Sequence, residues 1–538
     1  MSQLRQMKYR LIQSRALSKA RSGQVAAMSN KSSLDKAGTP GLGLECILAP
    51  LALSNSGLSA LGLSSSHWSA DEIQKQYVRK LRQLQSDKDE TTARSLTIAL
   101  SSGGQASFLF YHPEAKTFDL HSEMQKAFAE LIKNAERDFD GKVSLDLRHL
   151  DFDNQMRALQ AFVFLCETAH WEPNRFGQCA QKKDSKAPTI DVQIQCGLDE
   201  KEARAIVDRA VALGRANNEV RTLADLPANE LNPANYRARI QAYAREHGLS
   251  FEFWDRKELA RKKAGAFLAV TRADPNTSGG IAILKYVPRS KSKNRKKITL
   301  VGKGICFDTG GYNIKPGNYM LGMHGDMTGS ALALALCGYF ARTQADVEVH
   351  AYMALAENLI SPTAYKPNEV VIASDGTSIE VVDTDAEGRM ILADTLAFAR
   401  KGKPDLLIDY ATLTGAAIRA LDRKKSAVFS HTHREDLAQM AVRCGDQSGE
   451  RVWYFPLDAD YRKGLKSKIA DILQCSESSN ADHIYAATFL SHFVGSETPW
   501  VHVDLVAGES KGGLGLIGTD TTGFGVLWTD SFVKEFLG

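Results

Sequence analysis

The chain of 538 residues lacks any run of about eighteen apolar residues, so no helix crossing a membrane is expected. No apolar core follows its basic start, which argues against a secretory signal. Its eight cysteines, at positions 46, 166, 179, 196, 306, 337, 444 and 475, form no C-x-x-C pair and no tight framework. They read as reduced, mostly buried thiols of an intracellular protein, not as a disulfide scaffold. A dominant charge is missing too: net +4 is small for this length and selects no partner by itself. Acids are nearly absent from residues 1–40, where eight Lys or Arg stand against Asp35. Such a basic, Ser-rich stretch suits a flexible tail or a mitochondrial-type transit peptide, and the tail is the reading adopted.

What remains is an ordinary globular composition, 43% hydrophobic and 24% charged, on a chain longer than one core usually spans. The expected fold class is α/β in two domains. A smaller N-terminal α/β domain occupies 41–215, and a larger C-terminal α/β domain, with a mixed central sheet flanked by helices, occupies 216–538. In the first, CILAPLAL, SLTIALSS, SFLFYH, VSLDLRHL and TIDVQIQ read as strands. The runs SEMQKAFAELIKNAERDFD and NQMRALQAFVFLCETAH repeat apolar residues at helical spacing. His149 and His170 there read as ordinary core or surface residues. A helix over 199–226 bridges the domains, and PANELNP places Pro233 at a helix first turn. The basic run PRSKSKNRKK (288–297) reads as a solvated hairpin tip, without the interleaved aromatics of a nucleic-acid surface. The Gly-rich segment 508–525 lacks the strand and helix context of a dinucleotide site.

Chemistry concentrates between Lys303 and Arg389. VGKGICFDTGGYNIKPGNYMLGMHGDMTGSA supplies Lys303, Asp308, Lys315 and Asp326, and VVDTDAEGRMILADT supplies Asp385, Glu387 and Arg389. Four carboxylates set among glycines and apolar strands cannot share a buried site unless something neutralises them. Divalent metal does this economically, since hard or borderline cations suit oxygen donors and two ions can share a bridging carboxylate. The β-rich runs KITLVGKGI and EVVIASDGTSIEVVDT each break at a turn before a helix. Ligands from the carboxyl ends of neighbouring strands would then meet in one crevice. Asp385 and Glu387, two apart, would point the same way if their backbone were extended. On these residues alone, Lys303 reads as a cation balancing the carboxylates.

The heptapeptide DTDAEGR (383–389) resembles the NTDAEGR signature of the leucyl aminopeptidase (cytosol aminopeptidase) family of dinuclear-metal peptidases. The spacing of the first block, Lys303 to Asp308 to Lys315 to Asp326, is similar as well. The resemblance covers roughly residues 216–538. It implies an aminopeptidase that releases N-terminal residues, leucine and other apolar ones preferred, from peptide substrates. It implies two divalent ions, Zn or Mn with Co as an option. One would be held by Lys303, Asp308, Asp326 and Glu387, the other by Asp308, Asp385 and Glu387. Lys303 would ligate as a neutral amine. A hydroxide bridging the metals would attack the peptide carbonyl, Lys315 would stabilise the gem-diolate, and Arg389 would hold a bicarbonate acting as general base. The substrate amine would touch a metal and Asp326, while Met323, Thr412, Leu413 and Gly415 match positions around the first side-chain pocket. A homohexamer in the cytoplasm is implied, with mitochondria as the alternative from the basic start. Neither membrane nor nucleic acid is expected as a partner.

Two departures stand out. Asp383 replaces the usual Asn, either adding an anion beside the metals or capping the following turn. HVDLVAGES differs in register from the family's HLDIAG, so no pocket residue is carried over there. The rival readings are another two-metal hydrolase, such as a phosphoesterase, and a non-catalytic DNA-binding or structural relative. The first commonly recruits His, yet only the unmatched His324 lies near the blocks; the second is disfavoured because all seven matched positions are intact.

Overall fold

The computed structural model describes residues 190–538 except 277, 291, 293, 478 and 479. Before them it describes 7–12, 44–50, 93–99, 105–111, 118, 121–122, 124–126, 142–147, 152–169 and 171–177. Two compact units result, 1–214 with 515–518, and 215–514 with 519–538. The first contains a six-stranded sheet in the order Met7–Ile12, Ile190–Gln195, Lys142–Asp146, Leu44–Pro50, Gln105–Tyr111, Ala93–Ala99. Only its last pair is antiparallel. The helix Phe152–Ala169 buries Leu159 and the continuous run from Ala161 to Cys166. Of the stretch read as a tail, Met7–Ile12 forms the edge strand, and the rest lies outside the described residues, as do His149 and His170. Among the described residues no helix is long and apolar enough to cross a membrane.

The second unit is built on eight strands: β1 (Ser250–Trp254), β2 (Gly280–Tyr286), β3 (Lys297–Asp308), β4 (Glu348–Asn358), β5 (Leu406–Ala411), β6 (Ser426–Phe429), β7 (Val452–Tyr454) and β8 (Trp500–Asp504). Their order is β7-β6-β8-β5-β3-β4-β2-β1. The central four, β8-β5-β3-β4, run parallel, and antiparallel pairings of β6 with β8 and β2 with β4 make the sheet mixed. β5 is buried from end to end and β3 is buried from Ile298 to Cys306, as continuous apolar runs between two helical layers must be.

Alternation along β3 assigns the layers. Val301 and Ile305 share a core with Met390 and Ile391 of α2 (Glu387–Ala399). Gly302 faces the opposite helix, α1 (Thr328–Arg342), where a Cβ would lie 2.4 Å from the carbonyl oxygen of Gly329. Glycine at 302 is therefore what lets the start of α1 rest on the strand. Lys303, between these positions, points toward α2, and a Cβ at Gly388 would fall 2.6 Å from its Cε.

Inside α2, buried Asp394 accepts from the backbone N–H of Phe267 (2.8 Å) and of Ser374 (2.6 Å). Burial pushes its pKa up to about 6 against those two bonds. Asp394→Ala should leave two buried donors unpaired and cost about 2–4 kcal/mol in urea unfolding.

Two sequence-based expectations change here. The run EVVIASDGTSIEVVDT is not one strand of the central sheet but a hairpin, Val370–Ile372 against Ser378–Glu380, turned at Gly376 with φ 98°. Ile472–Leu473 adds a third strand to it. The basic run is not a hairpin tip either, because β4 lies between β2 and β3. Within it, Lys296 pairs with Asp405 at 3.0 Å and Arg295 with Asp346 at 3.3 Å. Asn232 caps the helix Pro233–His247, accepting from the N–H of Asn235 at 3.0 Å with proline at the first turn.

Candidate active site

β3 ends at Asp308, and its parallel neighbour β4 ends at Asn358, the register partner of Asp308. Asn358 Nδ2 donates to Asp308 Oδ1 (2.8 Å) and to the carbonyl of Thr384 (2.9 Å), joining the two sequence blocks. Thr384 Oγ1 adds a second stitch, donating to the carbonyl of Gly310 at 2.7 Å and accepting from the N–H of Asn313 at 2.8 Å.

The backbone at Asp385 is a turn, not extended, and Glu387 is the first residue of α2. Asp383 Oδ1 makes that turn by accepting from the N–H of Asp385 at 2.8 Å. Gln474 fixes the loop from outside: its Oε1 accepts from the N–H groups of Val382 and Asp383, and its Nε2 donates to the carbonyl of Ala386, each at 3.0 Å. Gln474→Ala should therefore loosen metal retention by about tenfold, as loss of outer supports commonly does, measured by competition with a chromogenic chelator. Asp383→Asn should stay near the parent, since an amide oxygen accepts the same bond, whereas Asp383→Ala should follow Gln474→Ala. A large change in Asp383→Asn would instead favour the charge of Asp383 over its turn.

Three carboxylates converge: oxygens of Asp308, Asp385 and Glu387 lie within 4.8 Å of one another. Lys315 Nζ sits 2.7 Å from Asp308 Oδ2 and 2.7 Å from Asp385 Oδ1. Lys303 Nζ lies 2.8 Å from Asp326 Oδ2 and 2.9 Å from Glu387 Oε1, and donates to the carbonyl of Thr412 at 2.9 Å. Thr412 Oγ1 donates to Asp326 Oδ1 at 2.6 Å, and the N–H of Leu413 donates to Asp504 Oδ1 at 3.0 Å. Met323 meets the cluster through its backbone carbonyl, which accepts from the N–H of Asp326 at 3.4 Å. Gly415 opens the helix Gly415–Leu421 and is exposed. Arg389, 2% exposed, binds elsewhere: its Nη2 donates to both oxygens of Asp482, at 2.9 and 2.8 Å.

The electrostatics follow from crowding. Burial pushes Asp326 up to about 8; Lys303 opposes this, while Glu387 and Asp308 reinforce it. Burial, then repulsion from Asp308 and Glu387, takes Asp385 up to about 7. Glu387 is raised by burial and by Asp308. Burial alone would lower the two lysines, but the surrounding carboxylates outweigh it and raise both.

Four carboxylates thus face two ammonium groups, which leaves the site short of positive charge. Glu387 Oε2 is buried with no hydrogen-bond partner among the described residues. An orphaned buried carboxylate oxygen in an all-oxygen cluster is what a divalent cation would satisfy, so the residues present fit such an ion.

The catalytic-domain profile of the cytosol aminopeptidase family matches residues 218–528. The chain belongs to the cytosol aminopeptidase family. The probable cytosol aminopeptidase of Aquifex aeolicus (strain VF5) is 36% identical over 410 residues, 75% of this chain and 79% of the relative. That of Syntrophotalea carbinolica (strain DSM 2380 / NBRC 103641 / GraBd1) is 37% identical over 361 residues, 66% of this chain and 71% of its own. The cytosol aminopeptidase of Encephalitozoon cuniculi (strain GB-M1) is 37% identical over 323 residues, 60% and 65% of the two chains. As a member of this family the protein is a peptidase with aminopeptidase function, and the matched span contains the whole carboxylate cluster.

Sequence reasoning missed Asn358, Gln474 and Asp482. Asn358 carried a signal, a polar residue closing the apolar strand EVHAYMALAEN beside β3. Gln474 and Asp482 carried none, because their partners lie 85 to 93 residues away in the chain.

Proposed function

We propose that this cytosol aminopeptidase is a dinuclear-metal enzyme removing N-terminal leucine and other apolar residues from peptides. The observation that carries the proposal is the carboxylate cluster with its buried Glu387 Oε2, which has no hydrogen-bond partner among the described residues. Asp308 and Glu387 would be shared between two ions, Zn or Mn with Co as an option. Lys303 and Asp326 would complete one set of ligands and Asp385 the other. Lys303 can serve there only after giving up its proton to become a neutral amine. Bound divalent ions would supply an acidified water and polarise a carbonyl.

The chain's own groups do the rest. Lys315, held between Asp308 and Asp385, is a fixed cation for the charge that develops on the peptide carbonyl oxygen. Asp326 would receive the substrate's free α-amine, which makes the reaction an exopeptidase step. Met323, Thr412, Leu413 and Gly415 would shape the pocket for the first side chain, with methionine as a deformable wall. Arg389 would seat a planar anion that takes up the proton, which the resemblance to leucyl aminopeptidases gives as bicarbonate. That resemblance also supports a homohexamer, and the relatives' name supports the cytoplasm.

Acetylating the substrate amine tests the reading. Leucyl amide should be hydrolysed, and its acetylated form should not be, although the scissile bond is unchanged. Comparable turnover of the two would show a different peptidase logic.

A further inference from the structure

Of the seven matched residues, Arg389 is the one whose hydrogen bonds, among the described residues, all go outside the carboxylate cluster. Its Nη2 donates to both oxygens of Asp482, Nη1 reaches the carbonyl of Gln474 at 3.4 Å, and Nε has no partner among the described residues. Asp482 is the first residue of α3 (Asp482–Val494). Ala481 before it adopts φ 53°, a left-handed conformation that alanine rarely takes. The chain thus passes through a strained turn to bring the first side chain of α3 onto the guanidinium. A carboxylate is also favoured at that end of a helix.

A guanidinium offers its donors to planar oxyanions, and a carboxylate on the donor Nη2 competes with any dissolved anion for it. We propose that Asp482 is the resident anion of Arg389, so that this chain carries its own carboxylate where a dissolved bicarbonate would otherwise bind. The inference rests on the reading of Arg389 as an anion seat given under Proposed function. It makes the enzyme independent of bicarbonate, with the Asp482 carboxylate standing in for the anion that takes up the proton.

The test uses the full chain. In buffer purged of carbon dioxide, the metal-loaded parent should hydrolyse leucyl amide at the same rate with and without added bicarbonate. Asp482→Ala should fall by about a hundredfold in purged buffer, the scale of a lost proton-transfer group, and recover with bicarbonate or formate. Asp482→Asn, whose amide still fills the space, should fall without recovering. Binding is read separately on metal-free protein by line broadening of ¹³C-bicarbonate. The parent should give none, Asp482→Ala should give it, and adding Arg389→Met should remove it. The proposal is overturned if the parent needs bicarbonate or broadens its signal. It is equally overturned if Asp482→Ala keeps the parental rate in purged buffer, or is inactive and binds no bicarbonate. If Arg389→Met alone keeps full activity, the anion-seat reading itself fails, an outcome separable from the others.

Discussion

Prolonged dialysis against a chelator is expected to bring leucyl-amide hydrolysis down to background, and Zn²⁺, Mn²⁺ or Co²⁺ to restore it. The physical ground is what the two lysines cannot do. They neutralise part of the carboxylate charge, but an ammonium group presents no open coordination position and cannot acidify a water as a dication does. Enzymatic acceleration of difficult hydrolyses is typically a millionfold or more, and most of it should disappear with the ions. The carboxylates and the fold should survive, because ion pairs of 2.7 to 2.9 Å already tie the cluster together. Full activity in protein shown to be metal-free by elemental analysis would refute the dinuclear reading.

The second large effect separates holding the ions from using them. Glu387→Ala removes a buried carboxylate whose Oε1 meets Lys303 and whose Oε2 has no partner among the described residues, and it leaves Lys303 with less negative charge around it. Metal content and rate should fall together. Lys315→Ala removes a cation from between Asp308 and Asp385 and no ligand. Metal content should hold or rise, because the remaining site is more negative. The rate should nevertheless drop by about a hundredfold or more, roughly 3 kcal/mol, the usual scale for losing one preplaced charge stabiliser. Elemental analysis beside steady-state rates distinguishes the two variants. An equal loss of metal in both would make Lys315 a structural counter-ion.

The central sheet was readable because its strands are long apolar runs broken by Gly- and Asp-rich turns, and KITLVGKGI is β3 up to its last three residues. The residues of the two blocks were readable for a different reason: fixed spacing between charged groups is unusual unless they share a task. How the second block reaches the site was not readable. The apolar alternation of EVVIASDGTSIEVV suits one strand of a large sheet as well as two strands of a small one, and Gly376 decides in favour of the turn. The part played by Asp383 was open between charge and cap for a related reason, since it depends on where the N–H of Asp385 points. Gln474 and Asp482 were invisible because hydrogen-bond partners brought together by folding leave no periodic trace in the chain.

The support that Gln474 gives to the DTDAEGR loop bears on how the enzyme is made. Val382 and Gln474 are 92 residues apart, and the strand Ile472–Leu473 pairs with Ser378–Glu380 across a similar gap. Contacts of such long separation form late, because a large loop must close before they repay its entropy. During synthesis the ligand loop would therefore leave the ribosome well before the residues that hold it. A nascent chain ending ahead of Ile472 carries every side chain of both blocks and the stitches from Asn358 and Asn313, but not the brace that Gln474 gives the second block, so full ordering of that loop belongs to the nearly finished polypeptide.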